Sequence, residues 1–77
     1  MTERECEEEI GRRLFEIRKY KGVKQKELAR KIRITRTSVA NIEAGRQGLK
    51  FWRFLQICAA LGVEPWQVLR DNWMDYR

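Results

Sequence analysis

Apolar residues recur three and four positions apart along the chain, the spacing of short helices that each bury one side. Ile10, Leu14 and Ile17 form the first inner stripe. Its helix begins at Thr2, whose hydroxyl can cap the first turn while Glu5 reaches back, and the glutamates around it suit the positive end of the helix dipole. Gly22 ends this helix. Leu28, Ala29 and Ile32 place a second helix over roughly Gln25 to Ile32. A third starts after Thr35, a good cap, and stops at Gly45, which can take the left-handed conformation. Phe51, Phe54, Leu55, Cys58 and Leu61 mark a fourth, ended by Gly62. Pro65 opens a fifth at its first turn, with Val68 and Leu69 on the inner side. The pattern predicts an all-α fold of five short helices with short connections.

The third helix, ITRTSVANIEAG with its flanks, stands apart from the others. At about 100° per residue, Val39 and Ile42 fall on one side, and Arg36, Thr37, Ala40, Asn41 and Ala44 on the other. The inner face is a narrow apolar anchor. The outer face carries donors and acceptors but no bulky apolar group, and its two alanines let a partner approach the backbone. Such a face suits reading something polar at short range.

With 77 residues the chain makes one domain, residues 1–77, with nearly every apolar residue committed to a single core. The net charge of +6 is unevenly spread. Residues 1–9 hold five glutamates and one arginine, a sum of −4, which leaves sixteen bases and six acids, or +10, in residues 10–77. A strongly basic body points to an anionic partner, nucleic acid foremost. Cys6 and Cys58 lie 52 residues apart and histidine is absent, so the sequence suggests neither a zinc site nor a disulfide framework, and reduced thiols in a cytoplasmic protein are expected. No window approaches a membrane span, and the acidic start is unlike a secretory or mitochondrial presequence.

IGRRLFEIRKYKGVKQKELARKI, ITRTSVANIEAGRQ and FLQICAALGVEPWQVL together resemble the phage repressor and Cro type (Xre-like) helix-turn-helix family, from about Ile10 to Leu69. The resemblance rests on Gln25 opening helix two, Leu28 and Ala29 within it, Val39 and Ile42 in helix three, the Glu43 to Gly45 ending, and Leu61, Gly62 and Val63 later. It implies a five-helix phage-repressor-like DNA-binding domain whose helices two and three form the helix-turn-helix, the second of them entering a major groove about 12 Å wide. Arg36, Thr37 and Asn41 would face base edges: Arg36 paired with guanine, Asn41 with adenine, and Thr37 using its hydroxyl or its methyl. Gln25, with the free N–H groups opening helix two, would take a backbone phosphate, and Lys24, Arg46, Gln47 and Lys50 would be its neighbours on the DNA backbone. The family often pairs charged residues at the positions of Arg18 and Glu43, which would hold the reading helix at a fixed angle. Two residues depart from the family pattern. Lys24 stands where a capping Ser or Thr is common, and Arg33 where Gly often takes positive φ.

The chain offers no nucleophile–base pair, metal cluster or Gly-rich phosphate loop, so no enzyme and no cofactor is expected. The expected function is sequence-specific binding of double-stranded DNA by a transcriptional regulator, a homodimeric repressor on a palindromic operator. The competing reading is a helix-turn-helix protein-interaction module, such as an antitoxin or an anti-repressor partner. No membrane binding is expected, because the bases are spread over several helices. At this size no separate domain sensing a small-molecule effector is expected. If helix five continues through PWQVLRDNWMDYR, Trp66, Leu69, Trp73 and Tyr76 share one apolar stripe. Related regulators commonly dimerise through C-terminal helices, so Trp66, Leu69 and Trp73 are expected near a two-fold axis, with Trp52 a neighbour and residues 70–77 an extension that can join the contact.

Overall fold

The computed structural model describes residues 1–73 and places five helices: α1 (Glu3–Tyr20), α2 (Gln25–Ile32), α3 (Arg36–Glu43), α4 (Phe51–Leu61) and α5 (Pro65–Leu69). The start of α1 is the reciprocal cap expected of Thr2 and Glu5. Glu5 N–H donates to Thr2 Oγ1 at 3.1 Å, and Thr2 N–H donates to Glu5 Oε1 at 2.8 Å.

One device closes four of the helices. A residue in the left-handed region follows the last turn at Gly22, Arg33, Gly45 and Gly62, and the amide after it reaches back five residues, as in Ile34 N–H to the Ala29 carbonyl at 3.0 Å and Arg46 N–H to the Asn41 carbonyl at 2.9 Å. Arg33 alone does this with a side chain, at φ 59°, ψ 46°. That conformation costs an L-residue roughly 1–2 kcal/mol, which the surrounding fold absorbs.

α2 packs on α3 and α4, α1 on α3 and α5, and α4 on α5. Leu14 and Ile17 of α1, Leu28 of α2, Val39 of α3, Cys58 of α4 and Val68 of α5 are almost wholly buried at the centre. Gly11 lets α1 and α3 meet backbone to backbone. A Cβ there would collide with the Ile42 carbonyl oxygen and lie 3.0 Å from that of Glu43, so any larger residue would push α3 away from α1.

The second half of the chain corrects the sequence reading in three places. In α4 the buried stripe is Phe54, Ile57, Cys58 and Leu61, while Phe51 and Leu55 are exposed. In α5 only Val68 faces the core, and Leu69 is 52% exposed. The helix does not run on past Leu69: Arg70 is extended, at φ −79° and ψ 162°. The stripe expected from Trp66 to Tyr76 is thus broken, and Tyr76 lies outside the described residues. Trp73 turns back instead and is buried in the protein's own core, with the guanidinium carbons of Arg12 and Arg13 each 5.6 Å from its ring centre. Trp73 is therefore a core residue of its own chain, where the sequence reading expected it near a two-fold axis. The physical reason is a contact distant in sequence: Arg13 Nη1 donates to the carbonyls of Val68 at 2.7 Å and Arg70 at 3.2 Å, satisfying the end of α5 where amides four residues further on would do so in a longer helix.

Candidate nucleic-acid interface

Thr35 begins α3, the expected reading helix, by accepting Ser38 N–H at 3.0 Å, which satisfies one free amide of the first turn. Val39 and Ile42, 1% and 3% exposed, pin its inner side. Arg36, Thr37 and Ala44 are exposed and Ala40 and Asn41 half-exposed, so the small, polar outer face stands clear of the domain.

The end of α3 is held by a buried ion pair. Arg18 Nε donates to Glu43 Oε2 at 2.6 Å and Arg18 Nη2 donates to Glu43 Oε1 at 3.1 Å, a two-pronged contact, while Arg18 Nη1 donates to the Val23 carbonyl at 2.7 Å in the turn before α2. One guanidinium therefore ties α1 to both helices of the motif. From this pair the contacts continue outward. Gln25 Nε2 donates to Glu43 Oε1 at 3.0 Å, and Arg36 Nη1 donates to Gln25 Oε1 at 3.0 Å. The buried charge pair, the first residue of α2 and the first residue of α3 form one chain of hydrogen bonds ending on an exposed arginine.

Sequence reading assigned Gln25 to the DNA backbone and Arg36 to a base, and nothing in the sequence linked them. They lie 11 residues apart, and the bond between them depends on the crossing of α2 and α3. Phe15 was also not singled out. Its ring lies beneath the Arg18 guanidinium, 5.5 Å from ring centre to Cζ, and with Arg18, Lys19, Lys24, Gln25, Lys26 and Arg36 it lines a shallow basic depression beside the start of α2. The signal that it is special is its position off the Ile10, Leu14, Ile17 stripe. Lys24 lines that depression but gives α2 no side-chain cap; the cap is supplied from the other direction, Lys24 N–H donating to Glu27 Oε1 at 3.1 Å. Arg46, Gln47 and Lys50 are exposed on the loop beyond the other end of α3. Basic and amide groups thus bracket the reading helix at both ends.

Other chemistries find little support among the described residues. No group of acidic, thiol or imidazole side chains is placed to hold a metal ion. Cys6 is exposed and unpaired, and burial pushes the Cys58 thiol up to about 11. No helix is long and apolar enough to cross a membrane.

The profile of the helix-turn-helix domain matches residues 9–73. The chain belongs to that family. Among solved structures, this helix-turn-helix protein is similar to the restriction-modification controller protein C.AhdI from Aeromonas hydrophila, at 28% identity over 88% of this chain and 99% of that one, with a TM-score of 0.82. It is also similar to the clp gene regulator ClgR from Corynebacterium glutamicum, at 28% identity over 92% of each chain with a TM-score of 0.82. In a second crystal structure of that regulator, the identity is 29% over 90% of this chain and 73% of that one, again with a TM-score of 0.82. No curated protein matches the chain. The chain therefore has the phage repressor and Cro type helix-turn-helix fold, with five helices among the described residues, the fold of DNA-binding transcriptional regulators, which are not enzymes.

Proposed function

We propose that the protein is a sequence-specific transcriptional regulator that binds a palindromic operator in double-stranded DNA as a homodimer in the cytoplasm. The observation that carries this reading is the exposed Arg36 guanidinium, oriented by Gln25 and through it by the buried Glu43–Arg18 pair. A pre-oriented arginine at the first turn of a groove-entering helix is the side chain best suited to grasp O6 and N7 of guanine, because its planar fork loses little freedom on pairing. Thr37 and Asn41 share the open face and read neighbouring bases. Gln25, Lys24, Arg46, Gln47 and Lys50 contact phosphate at the two ends of α3, giving affinity without sequence choice.

The homodimer reading rests on the apolar groups that α4 and α5 leave uncovered. Trp66 is 57% exposed, and Leu69, Trp52 and Phe51 are also exposed. Large aromatic groups of this kind serve as anchors at the centre of an interface, and two-fold symmetry would set two reading helices one DNA turn, about 34 Å, apart. The relatives named a restriction-modification controller and a clp gene regulator support a role at a promoter.

Selection of a preferred duplex from a random pool by the purified protein tests the reading, followed by Arg36→Ala on single-base variants of that duplex. The variant should lose about 1–3 kcal/mol on the preferred site and relax choice at one base pair. Unchanged rank order among the variant sites would remove Arg36 from base reading. Sedimentation at micromolar concentration tests assembly: the wild type should be a dimer and Trp66→Glu a monomer.

A further inference from the structure

The family match begins at residue 9, yet α1 begins at Glu3, and this earlier part of the helix touches the loop that follows the reading helix. Glu7 Oε2 accepts the Leu49 N–H at 3.1 Å, a contact spanning 42 residues. Glu8 lies against Gly45: a Cβ on that glycine would come within 2.8 Å of the Glu8 Cα. The two ends of the loop carrying Arg46, Gln47 and Lys50 are therefore both seated on α1, one by a hydrogen bond and one by close packing. Leu49 itself is half-buried against the core, so its amide is better served by a fixed acceptor than by passing water.

A carboxylate at this place has a cost for a DNA-binding surface. Glu7 shares a cleft with Arg4, Gly45, Arg46, Gln47 and Gly48, so its negative charge opposes the attraction of Arg46 for phosphate. Charge and hydrogen bond thus act in opposite directions on DNA affinity, which makes them separable.

We infer that Glu7 is a positioning residue for DNA binding: through the Leu49 amide it holds the loop in the shape that presents Arg46 and Lys50 to the phosphate backbone. The inference rests on the DNA-binding reading above. Glu7→Gln keeps a carbonyl acceptor for the Leu49 N–H and removes the charge; Glu7→Ala removes both. Each phosphate contact contributes about 0.9 to the log–log salt slope, or about fivefold in affinity near 0.15 M salt.

The test compares wild type, Glu7→Gln and Glu7→Ala on a random-sequence duplex and on the duplex that the wild type selects, across a salt series, with hydrogen exchange of the Leu49 amide measured on each free protein. Glu7→Ala should bind both duplexes about five- to thirtyfold more weakly, with a slope shallower by one to two contacts, and its Leu49 amide should exchange faster. Glu7→Gln should retain the wild-type slope and Leu49 protection and bind both duplexes at least as tightly as wild type. If Glu7→Ala binds as tightly as Glu7→Gln, the residue acts only as a charge and the inference is overturned. Unchanged Leu49 exchange in Glu7→Ala overturns it as well, whatever happens to DNA. A wild type that selects no duplex would instead defeat the DNA-binding reading, and the exchange measurement would still report on the loop.

Discussion

Two arginines on α1, Arg13 and Arg18, do the same mechanical task in different surroundings. Each reaches from the first helix to the end of a later one, Arg18 to α3 and Arg13 to α5, and each is paired with a glutamate. The Arg18 and Glu43 side chains are 7% and 6% exposed, whereas those of Arg13 and Glu9 are 16% and 33% exposed. The Arg18 pair lies under the reading helix, where either charge left alone would have no water to turn to. The Arg13 pair lies near the rim, and the shortest bond of Arg13, 2.7 Å, runs to the Val68 carbonyl, with a further one to the Arg70 carbonyl. The difference shows what each clamp joins: one holds the end of α3 against α1, and the other finishes a short helix and turns the chain back into the core.

The largest expected effect comes from breaking the buried clamp on one side only. Glu43→Ala should cost about 3–5 kcal/mol in denaturant unfolding, because Arg18 is left charged and buried and Gln25 loses its acceptor. The double variant Arg18→Met, Glu43→Leu should recover much of that loss, since no charge is stranded. A double variant as unstable as the single one would mean that the pair contributes attraction and not merely mutual neutralisation.

A smaller effect is expected at the rim clamp. Arg13→Ala should cost about 1–3 kcal/mol, the value of charge-assisted hydrogen bonds to two backbone carbonyls together with packing lost against Trp73. Its useful signature is regional. Amide exchange should rise in α5 and at Trp73 before it rises in α3, and equal loosening of both would show that the two clamps are not independent.

The smallest effect belongs to Glu9. The hydrogen bond from Arg13 holds its carboxyl below the usual glutamate value of 4.5, partial burial opposes that, and Arg12 adds to it. A carboxyl whose folded value is depressed contributes stability that is complete above its unfolded pKa and is lost as pH falls through the folded value. Glu9→Gln should therefore cost under ~1 kcal/mol at neutral pH, as expected of a well-solvated pair, and the gap between wild type and variant should close as pH falls through the depressed folded value. A gap that stays unchanged through the acid titration of the carboxyl would trace the loss to packing instead of charge.

Much of the recognition motif was legible in the sequence because its signals are local. Gln25 to Ile32 and the start after Thr35 agree with the observed helices, since periodicity, a capping hydroxyl and a left-handed stop act within a turn or so of chain. Arg33 illustrates the limit of such signals: a poor residue for the left-handed turn still adopts φ 59° there, because α2 and α3 both pack where the turn must be. The candidate site was legible as a set of residues but not as a mechanism of orientation. Arg18 and Glu43 could be paired by resemblance, whereas the Gln25 bridge to Arg36 could not be anticipated from two polar residues 11 positions apart.

By itself the sequence determined the number of helices, their starts, the basic body and the open polar face of α3, all consequences of spacing, caps and charge along the chain. Only the tertiary structure decided that α5 stops at Leu69, that Trp73 is a core residue, that Gly11 brings α1 against the end of α3, and that Glu7 meets the loop beyond it. Those outcomes depend on hydrogen bonds and contacts spanning 42 and 55 residues, for example, and on which side of a helix is left for water once its neighbours have packed. A periodic pattern names an apolar face; the partner that covers it is chosen by the competition among all the faces for one small core.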